Sequence, residues 1–179
     1  MSDEVKRIDR ALIHKGTIIE YYQDTMSFSN GNQAKWDFIK HNGAAAVVPV
    51  MPDGRILMVR QYRNALERYT LEIPAGGLNP GESTLIAAAR ELEEETGYKA
   101  VTEPRFLLSI YTTVAFCNEK IDIYVADNLE KTQQNLDEDE FLNVEAHHLE
   151  DLLQMVYEQK IQDSKTISAL MAYKIKFGL

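Results

Sequence analysis

The sequence predicts a mixed α/β (α+β) fold: a mixed β-sheet sandwiched between helices, preceded by an N-terminal antiparallel strand region. Three observations carry this. Short strand-like runs outnumber helical ones, a single long helical pattern falls between them, and two further helical stripes close the chain. One intervening helix excludes the strand–helix alternation of a doubly wound sheet. With 179 residues, 45% of them hydrophobic, the chain can build one ordinary core and an appendage. Neither repeats nor low-complexity linkers interrupt it.

The opening stretch "MSDEVKRIDRALIHKG" is charged throughout and lacks the apolar run and cleavage site of a signal peptide. "TIIEYY" and "AKWDFIK" alternate and flank "SNGNQ", whose Asn-Gly chemistry predicts an antiparallel hairpin within residues 17 to 41. "AAAVVPVM", the turn Pro52 to Gly54 and "RILMVRQY" predict a second strand pair, apolar enough for burial on both faces. "TLEIPAGG" predicts a short strand that ends at Pro74 and opens into a glycine-rich loop. From Ser83 to Thr96 the pattern is helical: Leu85, Ala88, Ala89 and Leu92 share a face, and Gly97 fits a left-handed C-cap. Strands follow at "RFLLSIYT" and "KIDIYVADN". Two helices close the chain, with Leu149, Leu152, Leu153 and Val156 on one stripe and Ile167, Leu170, Met171 and Ile175 on the other.

With 28 acidic against 19 basic residues, a net charge of -9 disfavours nucleic acid and anionic membranes as partners. A phosphate-bearing ligand would therefore need a counter-cation. The single Cys117 excludes an internal disulfide and fits a reducing compartment. The longest apolar run, "GAAAVVPVM", is far below the roughly 20 residues that span a bilayer, so a cytoplasmic protein is expected.

The most informative segment is "GGLNPGESTLIAAARELEEETGY", where Glu91, Glu93, Glu94 and Glu95 crowd the end of the predicted helix. Residues three and four apart share a face, so Glu91, Glu94 and Glu95 project together while Glu93 points elsewhere. Their mutual repulsion costs a few tenths of a kcal/mol per pair, and the C-terminal end of the helix dipole also disfavours anions. Two readings follow: a solvated acidic face, or a seat for a hard divalent cation that turns repulsion into attraction. Arg90 can reach Glu94 at i+4, and Glu82 stands before the helix near its exposed N–H groups.

The spacing decides between them. Gly76, five residues, Glu82, seven residues, Arg90-Glu91-Leu92, one residue, Glu94-Glu95, one residue and Gly97-Tyr98 is the signature of the Nudix hydrolases. "GAAAVVPVMPDGRILMVRQYR", "LERYTLEIPAGGL", "NEKIDIYVA" and "DEDEFLNV" extend the likeness over nearly the whole chain. Together they resemble the ADP-ribose pyrophosphatase (ADP-sugar pyrophosphatase) branch of that family. The resemblance implies a Nudix fold, a homodimer, residues 1–42 as a strand region for dimerisation and substrate contact, and 43–179 as the catalytic domain.

It also implies site residues. Glu91, Glu95 and Glu94 would bind Mg2+ (or Mn2+), with the Ala75 carbonyl as a backbone ligand and Arg90 holding Glu94 in place. The catalytic base would come from "LDEDEF", with Glu140 first and Glu138 second; otherwise that segment is a solvated acidic loop. Arg63 resembles the arginine that grips the substrate's phosphates, though an ion pair is as good a reading of the local sequence. Trp36 aligns with an aromatic that stacks on adenine, against a core or interface role. Glu119 matches a glutamate near the terminal ribose. His147 and His148 open a helix without metal-type spacing and read as structural.

The implied reaction is hydrolysis of the diphosphate bond of a nucleoside diphosphate sugar, foremost ADP-ribose to AMP and ribose 5-phosphate. One departure bears on this. "TTVAFCNE" places Val114 and Ala115 where many members of the branch carry Pro and Gly, and the missing proline is a marker of ADP-ribose specificity. A GDP-mannose pyrophosphatase, or a non-catalytic nucleotide-sugar sensor on the same scaffold, are the alternative readings.

Overall fold

The computed structural model describes residues 4–136 and 141–179. The chain divides into two compact units, Met1–Gly43 with Tyr111–Lys120, and Ala44–Ile110 with Ile121–Leu179. Among the described residues no helix is long and apolar enough to cross a membrane.

The first unit is an antiparallel sheet of β1 (Lys6–Lys15), β2 (Glu20–Ser27) and β3 (Gln33–Lys40), in that order. The expected hairpin is β2–β3, closing at Ser27↔Gln33, with Gly31 at φ +84° donating to the Phe28 carbonyl at 2.9 Å. Only glycine adopts that backbone region without steric cost. Strand β2 starts at Glu20 rather than Thr17. β1 carries no alternating pattern because nine of its ten residues are exposed and neither face is buried. It is pinned instead by Arg10, which donates to both carboxylate oxygens of Asp24 at 2.6 Å and lies 3.8 Å over the Phe38 ring. The Tyr111–Lys120 segment is tied to β3, the Ile39 N–H donating to the Phe116 carbonyl at 2.7 Å.

The second unit is built on β4 (Ala44–Pro49), all six residues of which are buried. It pairs in parallel with β10 (Lys120–Ala126) and antiparallel with β7 (Ala75–Gly77), in a sheet ordered β7-β4-β10-β9 with β9 at Arg105–Tyr111. A second sheet runs β12 (Leu142–His147), β5 (Ile56–Arg63), β6 (Arg68–Glu72), and a short pair joins β8 (Tyr98–Ala100) to β11 (Leu129–Lys131). The expected pairing of β4 with β5 is corrected by this topology. Both edges of β4 are taken by β7 and β10, and β5 is joined to the chain just past β4 by a single bridge, Val50↔Ile56, beside the Gly54 turn.

Alternation along β4 feeds two cores. Ala44, Ala46 and Val48 join Ile56, Met58, Ile123 and the helices α2 (Leu149–Tyr157) and α3 (Ser164–Phe177). Ala45 and Val47 join Tyr124 and Ala87, Ala88 and Leu92 of α1 (Thr84–Thr96). Full burial of a side chain such as Leu92 contributes about 1.5–3 kcal/mol. A mixed sheet between helices is thus the observed architecture.

Helix α2 buries the four apolar residues expected of it. In α3 the stripe is rotated: Leu170 is buried, but Ile175 is 82% exposed, and Lys165 and Thr166 are buried in its place. Their partners, described below, explain why two polar residues displace an isoleucine. His147 ends β12 rather than opening a helix, and His148 occupies the N-cap position of α2.

Candidate active site

Helix α1 starts where Ser83 Oγ accepts the Ile86 N–H at 3.3 Å and stops at Gly97, whose backbone at φ +68° donates to the Glu93 carbonyl at 2.9 Å. Glu82, expected at the exposed helix N–H groups, leaves that task to Ser83. Its own carboxylate accepts the Asn79 N–H at 2.9 Å and two bonds from Arg90, at 2.9 and 3.0 Å. The Arg90 bonds, then that of Asn79, hold its pKa down to about 2.

Arg90 is the hub. Besides Glu82 it donates to Glu91 Oε1 at 2.7 Å, Glu94 Oε2 at 2.9 Å and the Gly77 carbonyl at 3.0 Å. Hydrogen bonding to Glu82 foremost, with Glu94 and Glu91, raises its pKa against the opposing effect of burial. The expected Arg90–Glu94 contact is therefore present, within a larger set.

The helical period carries the buried face from Ala87, Ala88 and Leu92 around to Glu91 and Glu95, which are 8% and 2% exposed. Glu95 Oε2 accepts the Ala75 N–H at 3.0 Å. Glu91 lies against Gly76 so closely that a Cβ there would sit 1.9 Å from Glu91 Oε1. Glycine is required by this contact, and Ala75, Gly76, Glu91, Glu94 and Glu95 are brought to one place by β7 and α1. Among the described residues, no three acidic, histidine or cysteine side chains form a ready cation cage. Arg90 instead draws Glu91 and Glu94 together. The donors are all hard oxygens, and the seat at Gly76 allows backbone and carboxylate to approach one point, so these residues fit a divalent cation of the Mg2+ class.

A second charged cluster lies in the same unit. Arg63 donates to Glu72 through Nε at 2.8 Å and Nη2 at 2.6 Å, and Lys165 Nζ donates to the same carboxylate. Burial pushes the Glu72 carboxyl up, but the Arg63 bonds and the Lys165 charge outweigh it and bring its pKa to about 2. Lys165 also donates to Asp163 Oδ2 at 3.0 Å, and Asp163, the N-cap of α3, accepts the Thr166 N–H at 3.0 Å. Thr166 Oγ1 accepts the Ile73 N–H at 3.0 Å, which fixes the backbone just ahead of Pro74 and Ala75. Arg63, expected at a phosphate, is thus bonded to Glu72 here. Its pKa is raised by hydrogen bonding to Glu72 first, and the charges of Asp163 and Glu95 add to the effect.

Trp36 lies in the first unit. It is 48% exposed and lines a cavity of about 630 Å³ with Tyr21, Lys35, Asp37, Ile39, Ala115 and Phe116. The departing segment around Val114 and Ala115 therefore shares a pocket with Trp36. Glu119 accepts from Thr112 Oγ1 at 2.7 Å, and its Oε1 is 3.6 Å from His41 Nδ1. Glu138 and Glu140 lie outside the described residues. His147 is bonded to Glu145 at 3.0 Å.

Sequence reasoning missed Glu72, Lys165 and Thr166. Glu72 was visible in "EIPAGG", but Lys165 and Thr166 are 93 residues from their partners and nothing local marks them.

The NUDIX domain model matches residues 40–170. The chain belongs to the Nudix family, and it is a hydrolase of the pyrophosphatase kind. It is 39% identical to an ADP-ribose pyrophosphatase of Bacillus subtilis over 98% of this chain and 96% of that one. It is 38% identical to a methanol dehydrogenase activator of Bacillus methanolicus over the same shares. In structure it resembles an ADP compounds hydrolase, with a TM-score of 0.88 over 98% of this chain and 95% of that one; at 24% identity this supports the fold alone.

Proposed function

We propose that the chain hydrolyses the diphosphate bond of nucleoside diphosphate sugars with a divalent cation, Mg2+ or Mn2+, and that ADP-ribose, split to AMP and ribose 5-phosphate, is its main substrate. The observation that carries this is the set of α1 carboxylates gathered on Arg90 and seated against Ala75 and Gly76. The full-length likeness to an ADP-ribose pyrophosphatase supplies the substrate class.

Glu91, Glu94, Glu95 and the Ala75 carbonyl would hold the cation. When bound, it would neutralise diphosphate charge and make a water more acidic. Arg90 keeps Glu91 and Glu94 from splaying apart. Glu140 takes the proton of the attacking water, with Glu138 the second choice. Arg63 grips a phosphate, and the guanidinium fork suits that task. Trp36 stacks on the base and Glu119 contacts the sugar. Residues 1–42 serve dimerisation and substrate contact and 43–179 catalysis, in a homodimer.

Ala115, which lines the Trp36 pocket, and its neighbour Val114 keep a GDP-mannose pyrophosphatase as the second reading. A panel of ADP-ribose, GDP-mannose and other ADP-sugars, with Mg2+ or Mn2+ and products resolved by chromatography, separates the two. AMP and ribose 5-phosphate as the dominant products support the proposal. Dominant turnover of GDP-mannose selects the alternative, and ligand binding with no product from any sugar leaves a sensor. Because one relative is named for activating a methanol dehydrogenase, the rate of such an enzyme with and without this protein belongs in the same series.

A further inference from the structure

Glu72 is shared by two cations that differ in access. The Arg63 side chain is 40% exposed, whereas those of Lys165 and Glu72 are 9% and 3% exposed. Lys165 is also bonded to Asp163, the N-cap of α3, so it is fixed to a helix end and cannot follow a ligand. Arg63 stands on the last residue of β5, at the margin of the cluster.

A buried carboxylate stripped of its counter-ion is strongly destabilised. Were Arg63 the sole partner of Glu72, its charge would be committed there, and an anionic ligand would compete with a buried carboxylate for it. Lys165 removes that competition, because Glu72 keeps a fixed positive neighbour whatever Arg63 does.

We infer that Lys165 is a positioning residue that serves as the permanent counter-ion of Glu72, and so frees the charge of Arg63 for the diphosphate of the substrate. This rests on the proposed reading of Arg63 as a phosphate ligand. Lys165 acts through Glu72 and Asp163, the two groups to which it is bonded.

The test is steady-state kinetics on ADP-ribose with saturating Mg2+. Lys165→Met and Lys165→Gln raise KM roughly tenfold, the scale of one charge-assisted hydrogen bond, with kcat changed by no more than about twofold. Lys165→Arg restores KM. In an Arg63→Gln background, Lys165→Met adds nothing further to KM. Should Lys165→Met not fold, Lys165→Gln retains a donor toward Glu72 and carries the measurement. A lowered melting temperature with unchanged KM in the Lys165 variants overturns the inference, as does an effect of Lys165→Met that persists in full without Arg63. If Arg63→Gln raises KM and the Lys165 variants do not, this inference alone falls. If Arg63→Gln leaves KM unchanged, the phosphate reading of Arg63 falls and takes the inference with it.

Discussion

The cluster around Glu72 and the cluster around Arg90 belong to the same unit but are balanced in opposite ways. At Glu72, two acids (Glu72 and Asp163) meet two bases (Arg63 and Lys165), and each acid is bonded to a base. At Arg90, one guanidinium is shared by Glu82, Glu91 and Glu94, with Glu95 alongside on the Ala75 N–H. Charge balance suits a cluster that fixes a backbone, here the Ile73 N–H held by Thr166. An excess of carboxylates at the end of a helix has no stabilising purpose of its own, since like charges and the helix dipole both oppose it. The proposed cation would turn that excess from repulsion into attraction.

The largest effect expected is at the acidic cluster. Glu95→Gln keeps the shape and the acceptor for the Ala75 N–H but removes the charge. It lowers kcat by roughly a hundredfold or more, since even outer-shell partners of a metal cost ten- to a hundredfold. Its melting temperature stays close to that of the parent. Activity at the parental level in that variant would erase the distinction between the clusters.

The balanced cluster answers to acid instead. The Glu72 carboxyl has its pKa lowered from 4.5 to about 2 in the fold, so the stabilisation it gives is present above the unfolded value and is lost as pH falls toward 2. The loss amounts to about 3 kcal/mol. Denaturant unfolding followed from about pH 6 to about pH 3 reads about 2 kcal/mol of it, the rest being lost only on further acidification toward pH 2, and Glu72→Gln flattens that limb of the curve.

Gly76→Ala is intermediate. The added methyl meets Glu91, which must move off β7, and activity falls roughly tenfold while the Mg2+ concentration for half activity rises. Unchanged Mg2+ dependence would show that the Glu91 seat is unrelated to the cation. Thr166→Val, away from the acidic cluster, removes the acceptor of the buried Ile73 N–H and costs about 1–3 kcal/mol of stability, read as a shift in the denaturant midpoint with activity of the folded protein unchanged.

What could be read in the sequence follows the same division. The span and C-cap of helix α1 were legible because Gly97 and the apolar period are local, and so were the carboxylates that ride on it; its N-cap fell to Ser83 rather than Glu82, and Ala87 rather than Ala89 lies on the buried face. The Asn-Gly hairpin and the apolar runs of β4 and β5 were legible for the same reason. Their partners were not: no local rule says that β4 lies beside β10 rather than β5, because pairing is settled by how two cores divide the buried faces. β1 left no pattern because it buries no face. The Glu72 cluster was invisible because its partners are separated by 93 residues, and the rotation of α3 that exposes Ile175 is a consequence of burying Lys165 and Thr166.

The direct measurement is Mn2+ binding, followed by loss of the free-ion electron paramagnetic resonance signal, to the parent protein and to Glu91→Gln and Glu95→Gln. Tight uptake by the parent and a loss of affinity of roughly ten- to a hundredfold in each variant is the predicted result. Equal uptake by all three proteins, or none by the parent, would contradict a cation site on α1.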